Sequence, residues 1–302
     1  MNKLLILFVP IAAACAQEDL KGFAVNEAVE AKLTIEEVHT ELDSVKYNIP
    51  WLDSFSINNT LINRVDVPSG YFRKNDKEGN FAHWLRRLPL KEGNPDVKLY
   101  NGDLKGYQNG HAYVINMDVG TKDLQQCADA TMRLRAEYLY GNNKHDSIHF
   151  NYTSGANVQF SKWKSGQYPI PKSGKVNWVN STKNDNSYAS FKKYMIQIFN
   201  YAGTLSLSRE LAPVAIESIK PGDIFCHGGS PGHAVMVMDV VENELGNKIF
   251  LLAQSYMPAQ EMHILKNPNN AGISPWYNVS EIGEEINTPE WVFSRAELMR
   301  WN

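Results

Sequence analysis

Two short stretches of this chain carry residue types that could do covalent chemistry together. Asp123-Leu-Gln-Gln-Cys127-Ala-Asp-Ala130 places a cysteine near the start of a helical pattern. The positive end of a helix dipole favours thiolate over thiol, and the unpaired N–H groups of a first turn can hold a developing oxyanion. Gly228-Gly-Ser-Pro-Gly-His233-Ala-Val-Met-Val-Met-Asp239 makes a histidine the first residue of an apolar strand, directly after a glycine turn. An imidazole at the end of a stiff strand suits a general base. Gln254 lies late in the following strand. With an odd-summed hairpin register it shares a face with His233, where its amide could fix the imidazole tautomer. Cys127 as nucleophile, His233 as base and Gln254 as orienter form a triad defined by role rather than by sequence position. Gln126, Ser230 and Tyr256 flank these three and are the expected oxyanion or substrate contacts.

Each of these residues also has a bland explanation. Cys127 could be a small buried side chain on a helix, and His233 could satisfy a turn carbonyl. Cys226 sits mid-strand among apolar residues and reads as core, with His227 beside it as a rival base. Cys127 and Cys226 could also pair as a disulfide in an oxidising compartment. Asp123 with Gln126 looks like a capping box, which would bond the Cys127 N–H to the Asp123 carbonyl and remove it as an oxyanion donor. The hydrolytic reading therefore prefers a helix that begins at Gln125 or Gln126. His145-Asp-Ser-Ile-His149 would share a face on a helix, but its flanks indicate a turn and a strand, so neither a metal nor any other cofactor is expected.

The elements that must position these residues follow from periodicity. A strand is predicted over 111–119, a helix over 124–140, and long loops over 142–185 with one strand near 147–153. A second helix over 188–202 is stopped by Gly203. Strands at 223–227, 233–242 and 248–256 are joined by hairpin-type turns and should be antiparallel neighbours. This is an α+β pattern, with the Cys127 helix packed on an antiparallel sheet.

The whole chain bounds the setting. It has 302 residues, 43% hydrophobic, with a formal charge of -3. That suffices for a sizeable core. Nothing in it suggests nucleic-acid binding, which calls for a basic face. Lys3 and the apolar run Leu4–Ala14 read as an export signal too short to span a bilayer. Cys15 after Ala12-Ala13-Ala14 suggests lipidation at Cys15; cleavage after Ala16 is the alternative. The organisation expected is a signal at 1–15, a tether at 16–45 and one α+β domain at 46–302. That describes a monomer in the cell envelope, reaching the membrane only through a lipid anchor.

The order of Cys on a helix, His on a strand and a polar residue on the next strand resembles the papain-like superfamily, especially the NlpC-type cell-wall peptidases and CHAP amidases. Gly222-Asp223-Ile-Phe225 adds to that likeness, which covers roughly residues 111–256. NlpC-type enzymes carry Asp before the nucleophile and Ser-Gly after it, whereas Gln126 precedes Cys127 here and Ala128-Asp129 follow. The resemblance implies a papain-like core, amide-bond hydrolysis and a peptide or peptidoglycan-like substrate. A non-catalytic surface lipoprotein binding a glycan or peptide is the other class it admits. Trp84-Leu-Arg-Arg-Leu-Pro-Leu90, residues 123–130, Gly228–Val235 and Leu252–Gln260 resemble, more closely still, the exported bacterial proteins of the domain of unknown function 4846 family.

Overall fold

The computed structural model describes residues 49–74, 77–180 and 183–302. The export signal, Cys15 and the tether lie outside the described residues. Along the chain run α1 (Leu61–Arg64), β1 (Tyr71–Phe72), α2 (Phe81–Arg86), β2 (His111–Val114), α3 (Cys127–Gly141), β3 (His149–Asn151), β4 (Asn157–Gln159) and α4 (Phe160–Lys164). Then follow β5 (Gln167–Lys172), β6 (Lys175–Asn180), α5 (Tyr188–Tyr201), α6 (Thr204–Glu210), β7 (Ala212–Pro213), β8 (Ile224–His227), β9 (His233–Asn243) and β10 (Lys248–Gln254). The chain closes with β11 (His263–Leu265), β12 (Tyr277–Asn278), β13 (Glu285–Asn287), β14 (Val292–Ser294) and β15 (Leu298–Arg300).

The main sheet of the described residues runs β2-β11-β10-β9-β8-β15-β7, with β1 added to β9 and β12 to β10, and its pairs are antiparallel. The chain is thus α+β with a mostly antiparallel sheet. β9 is apolar on both faces because both are covered. Ala234, Met236 and Met238 join the core cluster that contains Ala128, Ala130 and Met132 of α3. Val235 and Val237 join a second cluster with Phe225, Leu252 and Phe293. Each of these larger side chains contributes roughly 1.5–3 kcal/mol by leaving water, so the sheet is held from both sides.

The hairpin β9–β10 changes register part-way. Ile249 pairs with Val241 and Leu251 with Asp239, but Leu252 pairs with Val237, leaving Met238 as the extra residue of a bulge. A one-residue slip reverses every side chain beyond it. The slip supplies the odd-summed register that puts Gln254 on the same face as His233.

Residues 142–185 differ from expectation. The strand expected near 147–153 is β3, but in place of long loops around it they form two hairpins, β3–β4 and β5–β6, with α4 between. Only Pro169 of β5 is buried, so little apolar alternation marks that strand. Its turn is nevertheless chemically explicit: Ser173 at φ 50° and Gly174 at φ 75° make the paired left-handed turn that tight hairpins require. α5 is capped by Ser187, whose hydroxyl accepts the Ser190 N–H at 3.2 Å, and buries Phe191, Tyr194, Met195 and Ile198. Gly203 does more than stop α5; it is the N-cap of α6, its N–H donating to Ser206 Oγ at 3.0 Å.

Candidate functional site

α3 begins at Cys127, with Gln126 as N-cap in extended conformation, two or three residues later than the apolar period indicated. The capping box expected at Asp123 and Gln126 does not form. Instead the Asp129 carboxylate at N3 reaches back to accept the Gln126 N–H at 3.1 Å. Asp123 is used elsewhere: its carboxylate accepts the Ala259 N–H at 2.6 Å and Gln126 Nε2–H at 3.0 Å. Cys127 is therefore the first residue of the helix, and its N–H is not consumed by the Asp123 carbonyl.

Cys127 is buried, 7% exposed. Burial, reinforced by the nearby Asp129 carboxyl, pushes its thiol up to about 11, although the N–H groups of Ala234, Ala128 and Cys127 itself favour the thiolate. Asp129 is pushed up to about 8 by burial, and among the described residues its Oδ1 has no hydrogen-bond partner. Cys226 is also buried, rises to about 12 and contacts the Thr204 carbonyl at 3.7 Å; both cysteines are free rather than joined.

The turn Gly228–Gly232 is built to fit α6. A Cβ on Gly232 would lie 2.3 Å from Thr204 Oγ1 and 2.5 Å from the Gly229 carbonyl oxygen, and one on Gly228 would lie 2.0 Å from Ser208 Oγ. No side chain fits there, so the residue before His233 must be glycine. This seats His233 at the start of β9, paired across from His227.

The His233 ring is 1% exposed, and burial brings its pKa down to about 4. It is a neutral imidazole near pH 7. Its Nε2 lies 2.8 Å from Gln254 Oε1, so Nε2 carries the proton and donates, leaving Nδ1 with the lone pair. Tyr256, Trp291 and Phe293 pack around the ring at centroid distances of 4.7, 5.3 and 5.7 Å.

The thiol approaches β9 from the α3 side and meets it at the Ala234 N–H, one residue past His233. Strand alternation sends His233 towards the opposite cluster, with Val235 and Val237. The thiol and the imidazole therefore leave the end of β9 on opposite faces, at a level that β10 does not reach. Among the described residues the thiol makes its hydrogen bonds to backbone N–H groups and none to the imidazole. Half-buried Tyr256 meets the His233 ring edge-on and lies close enough to Cys127 to feel a thiolate charge. Gln126 is half-buried beside Cys127, and Ser230 is exposed on the glycine turn. The rival His227 is nearly half exposed and pairs with Glu297 at 2.5 Å.

Sequence reasoning missed the residues behind His233. Gln254 Nε2 donates to Glu290 Oε2 at 2.6 Å, and Glu290 is paired with Lys105. Glu290 and Trp291 come from one tight turn between β13 and β14, closed by the Thr288 N–H to the Trp291 carbonyl at 2.8 Å. That turn seats against Gly110, where a Cβ would lie 2.8 Å from both Pro289 Cβ and Tyr107 Cε1. Thr288-Pro-Glu-Trp291 reads as a turn signal, but nothing in it points to position 254. The His145–His149 stretch forms a short turn and a strand start; His145 stacks on Tyr140 and His149 pairs with Glu210 at 3.4 Å.

Fold and site together define an α+β protein with a buried Cys, His and Gln set at one end of its central strands. Residues 61–300 match the family model described as domain of unknown function (4846), and the chain belongs to that family. No curated protein and no solved structure matches the chain.

Proposed function

We propose that the chain is a cysteine hydrolase of the cell envelope, with a papain-like core, that cleaves an amide bond, with peptides of peptidoglycan as the substrate class. The observation that carries this reading is the His233 Nε2 to Gln254 Oε1 bond of 2.8 Å, which leaves Nδ1 with a lone pair on the residue preceding the Ala234 N–H that the helix-starting Cys127 meets. Cys127 Sγ attacks the carbonyl carbon as His233 Nδ1 takes the thiol proton. The Cys127 N–H and the Gln126 amide meet the oxyanion. The imidazolium then protonates the leaving amine, and water cleaves the thioester with His233 again as base. Export through the N-terminal signal and anchoring at Cys15 belong to the same proposal.

The resting pair is thiol and neutral imidazole, so the proton must move during attack rather than before it. Substrate must also open the site, since Cys127 is nearly sealed. That sealing favours a second reading, a surface protein that binds a glycan or peptide without turning it over. Incubating purified peptidoglycan with wild type and Cys127→Ala separates the two. Release of new amino termini by wild type alone supports hydrolysis; equal binding with no release by either protein supports the binding module.

A further inference from the structure

We propose that Glu290 is a positioning residue: with Lys105 and His263 it locks the Gln254 amide with its oxygen towards His233, and so selects the imidazole tautomer that leaves Nδ1 bare. The catalytic meaning of this lock rests on the hydrolase reading, but the lock itself does not.

Gln254 is fully buried, so water cannot complete its hydrogen bonds. Its Nε2 has two hydrogens. One goes to Glu290 Oε2 at 2.6 Å, and the other faces His263 Nε2 at 3.5 Å. His263 has a determined tautomer of its own: Nδ1 lies 2.8 Å from the Glu261 carbonyl, which can only accept, so Nδ1 holds the proton and Nε2 is an acceptor. Lys105 Nζ, 3.5 Å from the same Nε2, can only donate to it. Glu290 is held by Lys105, whose side chain is 7% exposed against 15% for Glu290.

Both groups behind Gln254 are therefore acceptors. Flipping the amide would turn its oxygen onto a carboxylate and an imidazole lone pair, and would aim its N–H groups at His233. Such buried mismatches are strongly disfavoured, because neither group can turn to water instead. With the flip forbidden, Oε1 faces His233 and demands a donor there. Nε2 supplies it, and Nδ1 is left as the base. Glu290 touches neither Cys127 nor any reacting atom; it acts through Gln254.

The test reads protonation directly. In protein labelled with 15N-histidine, long-range 1H–15N correlations at neutral pH distinguish the two neutral tautomers of each ring. Wild type should show His233 with its proton on Nε2 alone. Glu290→Leu should lose that single state and give a second population protonated on Nδ1. Glu290→Gln keeps an acceptor for Gln254 and should restore the wild-type pattern. His263→Phe, which removes the other acceptor, should shift the populations the same way by less, and it carries the test should Glu290→Leu fail to fold. An unchanged His233 tautomer in whichever of the Leu and Phe variants folds overturns the proposal, as does Glu290→Gln behaving like Glu290→Leu. None of these spectra depends on turnover, so an inactive wild type sinks the hydrolase reading alone.

Discussion

Behind Cys127 lies a buried polar cluster centred on Arg133; behind His233 lies one centred on Glu290. In the first, Arg133 Nε pairs with Glu137 at 3.2 Å, and its terminal nitrogens donate to Asp118 Oδ1 and Gln125 Oε1, each at 2.6 Å. Tyr188 adds a 2.8 Å bond to Glu137, and Lys192 lies 2.7 Å from Asp118. These bonds hold the segment leading into Cys127, and Ser255 Oγ clamps its Gln125 carbonyl at 3.0 Å. The cluster fixes where a backbone lies. The Glu290 cluster ends instead on a side-chain amide whose two ends differ only in hydrogen-bond sense, so it fixes a direction. The first should be sensitive to lost charge balance and the second to lost donor and acceptor matching.

The largest effect is expected from Arg133→Met. It leaves Glu137 fully buried without its cation, so denaturant unfolding should show a loss of about 3–5 kcal/mol. Asp129→Asn comes next. Its carboxyl is raised from 3.8 to about 8 on folding, so the folded state holds a proton that the unfolded chain releases between those values. Its contribution is complete below about pH 4 and is lost as pH rises through about 8. Stability of wild type relative to Asp129→Asn should fall over that window by on the order of a few kcal/mol. Equal pH profiles would remove Asp129 from the Cys127 environment.

Gln254→Leu should cost about 1–3 kcal/mol by stranding the His233 donor, a loss that thermal or denaturant unfolding would detect. Iodoacetamide labelling of Cys127 should climb roughly tenfold per pH unit towards about 11, because only the thiolate reacts and burial withholds it. A plateau near the ordinary thiol value of about 8.5 would mean that the thiol is not sealed in solution. At the small end, Lys164→Met, which removes the half-buried partner of exposed Asp146, should leave the unfolding midpoint within experimental scatter.

How much could be read in the sequence follows the same division. The β8–β9–β10 meander, α5 and the body of α3 were legible because alternation or helical period marks them, and Gly-His at the head of β9 is a strong local signal. The start of α3 was not, since Asp123 and Gln126 imitate a cap that Gln126 and Asp129 provide. The pairing of His233 with Gln254 was legible only conditionally, because the bulge at Met238 leaves no trace in an all-apolar strand. Glu290, Lys105 and His263 were invisible as a group. They lie in separate segments, and a buried charge that finds its partner through tertiary contact looks the same in sequence as a solvated one. Of the hairpins of residues 149–180 only β3 was legible; β5 and β6 failed for the opposite reason, being too exposed to show a period and specified mainly by their turn.

Position 110 has room for a hydrogen and no more, because the proline ring of the β13–β14 turn rests against it. An alanine there would act as a wedge under the turn that carries both Glu290 and Trp291, displacing the carboxylate and the indole together. The smallest side chain in the molecule thus governs which nitrogen of a distant ring is left free to accept a proton.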